Sequence, residues 1–329
     1  MAAPVLYDLV GDIGGTNARF AITAPGGELG SVVRPRMYEH RQFKDVSEAL
    51  AAYLREEGLT APPRHVALAV AGPIDNQTIA FTNSDWRFSA ETARAAVGAQ
   101  AALLINDYAA LARALPLLAE ADLTPLTAGG AAGARADPSA PKVVLGPGTG
   151  LGLAAWVPPQ GAVVTTEGGH AAFAPLDEAE WAIARFAAAQ FGRASYERLV
   201  SGAGLVTLYQ AVADARGEAA EDIQPADVTE RALAGDDALC VAALTHFCAI
   251  LGAFAGDAAL IYGAKGGVYL AGGISPKLGP FLLDGPFLQR FQAKGRYKDY
   301  VSRIPVWRID DPFAALRGAA AYAADMTRA

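Results

Sequence analysis

Two glycine-rich segments about half a chain apart constrain this sequence more than anything else in it. They read Asp12-Ile13-Gly14-Gly15-Thr16-Asn17 and Gly146-Pro147-Gly148-Thr149-Gly150-Leu151-Gly152. Each follows a short apolar run, 7–10 in the first case and 143–145 in the second. Each also leads into a further apolar run, 18–22 or 153–157, that stops at Pro or Gly, which is the pattern of strand, turn and strand rather than strand and helix. Glycine lets backbone N–H groups approach phosphate oxygens with no Cβ in the way, and successive N–H groups in a tight turn make an anion-binding concavity. The Walker loop needs Gly-Lys-Ser/Thr opening a helix, and the dinucleotide fingerprint needs Gly-x-Gly-x-x-Gly between strand and helix. Neither pattern fits either segment. Taken singly, each loop is also compatible with a plain hairpin turn in which glycine only supplies a positive φ.

The pairing argues for phosphate. Two phosphate hairpins on two similar halves, with a nucleotide clamped between them, resemble the superfamily of ATPases that contains actin, hexokinase and the heat-shock chaperones. That resemblance implies an α/β chain with the two-domain actin-like ATPase (ribonuclease H-like) fold, and a cleft for nucleotide and ligand between the domains.

The length of 329 residues suits about two domains. A hydrophobic content of 52% with 19% charged residues indicates a folded, core-rich protein. The net charge of −7 gives no general attraction to nucleic acid or to acidic membranes, so neither is expected as a partner. Cys240 and Cys248 sit eight residues apart in an apolar helical stretch without closely spaced Cys/His ligands, and are expected as small core residues in a reducing cytoplasm. Asp8 and Asp12 interrupt the early apolar stretch, so no signal peptide is expected. The most membrane-like window, 241–262, is broken by Thr245, His246, Gly252, Gly256 and Asp257 and reads as a buried helix.

Along the first half, strands are expected at 7–10, 18–23, 32–38, 65–70 and 101–105, and helices at 46–57, 89–97 with Ser89 as the cap, and 108–118. Residues 81–86 read as a loop, and the Gly/Ala/Pro-rich stretch 127–141 as a loop near a domain boundary. The second half shows strands at 142–145, 153–157 and 268–271, and helices at 178–190, 197–199, 205–215 and 238–262. An amphipathic helix at 313–326 closes the chain. The superfamily resemblance implies that it returns to the first domain, giving a small α/β domain of 1–117 plus 311–329 and a large α+β domain of 118–310.

Asn106-Asp107 directly follows a buried strand, where α/β sheets gather their ligands. Phosphoryl transfer needs an alcohol in line, a metal neutralising the phosphates and a carboxylate to accept the hydroxyl proton, so Asp107 is the candidate base. The alternative is that Asp107 caps the following helix. Two glycines in Glu167-Gly168-Gly169-His170 turn the chain so that Glu and His can share one space, and Glu197 lies just ahead of another turn at Ser201-Gly202. A sugar presents hydroxyls that donate and accept, and Asn106, Asp107, Glu167, His170 and Glu197 suit that need. As a metal site the set is unconvincing.

This constellation is similar to the bacterial ATP-dependent glucokinases. The likeness rests on 10–19, 105–107, 148–152, 167–170, Glu197-Arg198 with Ser201-Gly202, and 271–274, in that order over nearly the whole chain. It implies that Asp107 takes the proton from the sugar 6-hydroxyl, while Asn106, Glu167, His170 and Glu197 hold other hydroxyls. Gly72-Pro73 and Thr82-Asn83 match loops closing the sugar pocket. Asp12 matches the acidic residue near Mg2+, acting through water. Gly14, Gly15, Thr16, Asn17, Gly148, Thr149 and Gly150 match phosphate contacts, and Gly272 and Gly273 the adenosine loop. The implied reaction moves the γ-phosphoryl of ATP to the 6-hydroxyl of D-glucose, the first step of glycolysis, in a cytoplasmic homodimer whose domains close over the sugar. Alternatives are a kinase for another hexose or donor, such as polyphosphate or ADP, and a non-catalytic sugar sensor. Related sugar kinases and repressors carry a cysteine-rich zinc segment after Glu-Gly-x-His; here 171–176 reads Ala-Ala-Phe-Ala-Pro-Leu, and no structural zinc is expected.

Overall fold

The computed structural model describes residues 6–24, 26–81, 85–126 and 135–328. The chain divides into two compact units, Met1–Glu120 with Asp311–Ala329, and Ala121–Asp310.

The first unit runs β1 (Leu9–Ile13), β2 (Asn17–Thr23), β3 (Val32–Glu39), α1 (Val46–Glu56), β4 (His65–Val70), β5 (Thr78–Ala80), β6 (Arg87–Ser89), α2 (Ala90–Val97), β7 (Ala101–Asn106) and α3 (Asp107–Ala114). Its sheet has the order β3-β2-β1-β4-β7, with β1, β4 and β7 parallel. Every residue of β4 is buried, as a parallel strand covered on both faces requires. Leu9, Phe20, Leu50, Tyr53 and Leu68 are fully buried in its core, each such apolar side chain contributing about 1.5–3 kcal/mol. The C-terminal helix, Ala314–Arg328, packs on α3, β4 and β1.

The second unit runs β8 (Leu123–Pro125), β9 (Lys142–Pro147), β10 (Leu151–Val157), β11 (Ala162–Thr166), α4 (Glu178–Phe191), α5 (Tyr196–Leu199), α6 (Gly202–Arg216), α7 (Pro225–Ala234), α8 (Ala238–Tyr262), β12 (Val268–Leu270), α9 (Pro280–Leu283), α10 (Phe287–Gln292), α11 (Lys298–Ser302) and β13 (Val306–Ile309). Its sheet order is β11-β10-β9-β12-β13-β8. Apart from the added β8, both sheets follow one plan: an antiparallel meander of three strands, then two further strands parallel to the first. The apolar window at 241–262 lies in α8, whose 25 residues pack against α6, α7 and α10. Cys240 and Cys248 are buried there as free thiols, and burial pushes both up to about 12, away from thiolate chemistry.

Several element limits differ from expectation for local reasons. The first strand is displaced to Leu9–Ile13, because its pairing with β2 runs up to Ile13 opposite Ala18. Helix α3 stops at Ala114 and continues as a 3-10 turn at Leu115–Leu117, where Pro116 cannot donate. Strands β5, β6, β8, β11 and β13 and helices α7, α9, α10 and α11 were not expected. The first three strands span only three residues each, and β11 has no fully buried position to mark it. Residues 127–134 of the expected boundary loop lie outside the described residues.

Candidate active site

In the first unit, strand register brings the candidate residues together. Ile13 pairs with Val70, and Val70 with Asn106, so the carboxyl ends of β1, β4 and β7 lie side by side. The loop 14–16 leaves the first of these strands, Gly72-Pro73 follows the second, and Asn106-Asp107 ends the third. Gly14 N–H donates to the Asn17 carbonyl at 2.9 Å, closing the hairpin, and Ala71 N–H donates to the Ile13 carbonyl at 3.0 Å. Gly15, Thr16 and Asn17 line a pocket of about 730 Å³ together with Glu39, His40 and Trp86.

Asp12 lies opposite Arg19 in the β1–β2 ladder, and the guanidinium donates to its carboxylate at 3.1 Å. Burial raises the Asp12 pKa above the ordinary carboxylate value, while the Arg19 charge and hydrogen bond pull it down. At the end of β7 the helix cap is Asn106, whose Oδ1 accepts the Ala109 N–H at 3.1 Å. Asp107 is instead the first residue of α3, with Oδ1 accepting the Tyr108 N–H at 2.9 Å. The alternative that Asp107 serves as the cap is therefore not what the chain does. Its carboxylate sits in the first turn of that helix.

In the second unit, β9 and β10 form the second hairpin around 148–150, and Gly148 N–H donates to the Gly150 carbonyl at 2.8 Å. Leu145 pairs with Leu270, so the chain leaving β12 as Ala271-Gly272-Gly273 runs beside the same strand end. Gly272 has φ +84° and approaches so closely that a Cβ would meet the Pro147 carbonyl oxygen at 2.4 Å; only glycine fits. Space around Gly273 is open.

Glu167 precedes and His170 ends the 3-10 turn Gly168–His170, their side chains 75% and 59% exposed and therefore open to a ligand. The turn lies hard against β10, because a Cβ on Gly169 would stand 2.2 Å from the Leu151 carbonyl oxygen. His170 Nδ1 is 3.6 Å from Glu197 Oε1, and His170 Nε2 is 4.0 Å from Glu167 Oε2. Glu197 rides on α5, which Ser195 caps and which Tyr196 anchors by donating its hydroxyl to Asp257 at 2.7 Å. Ser201 donates to the Glu197 carbonyl at 2.8 Å. Thr149 stands in the loop, and Thr82 and Asn83 lie outside the described residues.

Two sets of side chains and glycine loops thus sit at the carboxyl ends of two sheets of one plan, and the order of these motifs matches a known family. The Glucokinase family model matches residues 9–326. The chain belongs to the glucokinase family. It is 44% identical to a glucokinase of Caulobacter sp. (strain K31) over 95% of this chain and 93% of that protein. It is 42% identical to a glucokinase of Chromobacterium violaceum over 96% of this chain and 89% of that protein. A solved glucokinase structure from an Antarctic psychrotroph superposes with a TM-score of 0.85 at 34% identity, covering 97% of this chain and 99% of that one. Like the structures of this glucokinase family, the chain has the two-domain actin-like ATPase fold.

Three relationships of consequence escaped the sequence: Arg19 with Asp12, Glu197 with Leu151, and Gln77 with Leu104. Arg19 could have been found by folding the hairpin between Gly15 and Thr16, which sets 12 opposite 19. The link from Glu197 to the second glycine loop, an acceptor contact to Leu151 N–H at 3.0 Å, joins segments 46 positions apart and has no sequence signal. Nor does Gln77, which bonds the main chain of β7.

Proposed function

We propose that this protein is a glucokinase, transferring the γ-phosphoryl of ATP to the 6-hydroxyl of D-glucose to give glucose 6-phosphate and ADP. The observation that carries the reading is Asn106-Asp107. Asn106 takes the capping role and leaves a carboxylate at the end of β7, on the same sheet edge as the hairpin after β1 and separated from it by β4. Asp107 accepts the proton of the sugar hydroxyl as it attacks phosphorus. Asn106 in the first unit, and Glu167, His170 and Glu197 in the second, are assigned to the remaining hydroxyls. Gly72-Pro73 and Asn83 are assigned to the loops closing the sugar pocket.

The loops 14–17 and 148–150 supply backbone N–H groups for the phosphates, and the bare backbone at Gly272 and Gly273 leaves room for adenosine. Among the described residues no group of three or more His, Cys, Asp or Glu side chains forms a dedicated metal cage. That fits Mg2+ brought in on the nucleotide, which takes one or two carboxylates and keeps its waters. Asp12 is the residue that would hold it, through water. When bound, Mg2+ neutralises the charge that the phosphoryl group carries between donor and acceptor. We further assign the protein to the cytoplasm, to the first step of glycolysis and to a homodimer, which light scattering tests.

The experiment is a coupled assay across hexoses and donors. Glucose 6-phosphate formed from glucose and ATP, with glucose preferred, is the expected result. Preference for fructose or N-acetylmannosamine, for ADP or polyphosphate, or sugar binding without sugar phosphate, overturns it.

A further inference from the structure

Glu197 faces two ways within the second unit. Oε1 lies 3.6 Å from His170 Nδ1, on the side assigned to the sugar. Oε2 accepts the main-chain N–H of Leu151 at 3.0 Å, where the second glycine loop enters β10. The loop's other fixed points are backbone bonds, Gly148 N–H to Gly150 carbonyl and Gly202 N–H to Gly148 carbonyl. Position 150 adjoins the same carboxylate: a Cβ there would stand 2.6 Å from Oε2 and 3.3 Å from the carboxyl carbon.

We infer that Glu197 is a positioning residue for the phosphate loop as well as a sugar ligand, so that filling the sugar subsite orders the nucleotide loop through one carboxylate. The inference rests on the sugar and nucleotide roles proposed above and adds their coupling. An ionised carboxylate accepts several hydrogen bonds, so Oε1 and the free lone pairs can serve hydroxyls while Oε2 holds the amide. A hydroxyl bound at Oε1 fixes the side-chain torsions, and the entropic cost of presenting Oε2 to Leu151 is then already met. Such coupling is reciprocal: a nucleotide that orders the loop favours the rotamer that binds sugar.

The consequence is that residues cross their assigned roles, and binding measured by titration calorimetry tests it without turnover. Gly150→Ala lies in the nucleotide loop, and its methyl meets only the movable end of Glu197, so the fold is kept while the carboxylate is displaced. Its glucose affinity, measured with no nucleotide present, should fall about 5-fold or more, the equivalent of one hydrogen bond. Glu197→Ala should weaken AMPPNP with Mg2+ about 5-fold in the absence of sugar, whereas Glu197→Gln, which keeps an oxygen acceptor for Leu151 N–H, should stay within about 2-fold of the parent protein. Circular dichroism checks that each variant is folded; if Gly150→Ala is not, the Glu197 pair decides. Unchanged glucose affinity in folded Gly150→Ala, or equal nucleotide affinities for Glu197→Ala and Glu197→Gln, overturns the coupling. A parent protein that binds glucose but forms no sugar phosphate defeats the kinase reading instead, and these binding comparisons still report on the coupling.

Discussion

The side-chain amide of Gln77 pairs with the main chain of Leu104 as a strand would. Leu104 N–H donates to Gln77 Oε1 at 2.8 Å, and Gln77 Nε2 donates to the Leu104 carbonyl at 3.4 Å. Strand β7 is the edge of its sheet, so these groups have no strand partner on that side. Gln77 makes the bond from φ +55°, in the turn that follows Gly72-Pro73, and thereby ties that turn to the strand ending in Asn106.

Gln77→Ala should therefore lower unfolding free energy by about 1–3 kcal/mol, the cost of leaving buried main-chain groups unmet. Gln77→Gly, which removes the same amide but suits the left-handed backbone, should lose less. Urea unfolding of both variants checks the order; equal stability of Gln77→Ala and the parent protein would remove Gln77 from this role.

The capping assignment separates Asn106 from Asp107. Asn106→Ala should cost about 0.5–2 kcal/mol through the lost bond to Ala109, and Asn106→Asp only a few tenths. Both should raise the KM for glucose if Asn106 also holds a hydroxyl. Stability and KM measured on the same pair distinguish the two duties.

Arg19 works against burial in the ionisation of Asp12. Burial raises the Asp12 pKa and the Arg19 guanidinium opposes it, so Arg19→Ala should raise it further. If the carboxylate form is the one that serves the metal-nucleotide complex, activity is lost on acidification at a higher pH in the variant. The acid limb of the kcat/KM profile should move to higher pH, and an unmoved limb would separate Asp12 from catalysis.

Histidine burial gives a pH dependence of stability distinct from that of activity. Burial lowers the pKa values of His40 and His246 from the ordinary 6.5, and His40 is stacked on Trp86 with ring centroids 4.0 Å apart. The folded state resists the proton that the unfolded state accepts. The stability these residues contribute is thus complete above about 6.5 and is lost as pH falls through their lower folded values. Urea unfolding between about pH 7.5 and about pH 5.5 should show that decline, and the His40→Gln, His246→Gln double variant should show a flatter one.

Much of this architecture was legible because its signals are local. The hairpins at 14–16 and 148–150, the buried run of β4, the helix at 46–56 and the helix capped by Ser89 each announce themselves within a few residues. The candidate side chains were legible as motifs, but their partners were not. Glu197 with Leu151, Arg19 with Asp12 and Gln77 with Leu104 are fixed by register and packing, which a linear pattern does not carry. The missed strands β5, β6 and β8 are three-residue elements held by pairing rather than by an apolar alternation of their own.

The role proposed for Asp107, the base in phosphorylation of glucose, stands or falls on Asp107→Ala. Turnover with glucose and ATP should fall at least ~10²-fold in kcat while the glucose dissociation constant, measured on the same preparation, stays within a few-fold of the parent value. Retained turnover in a folded Asp107→Ala protein would mean that another group takes the proton.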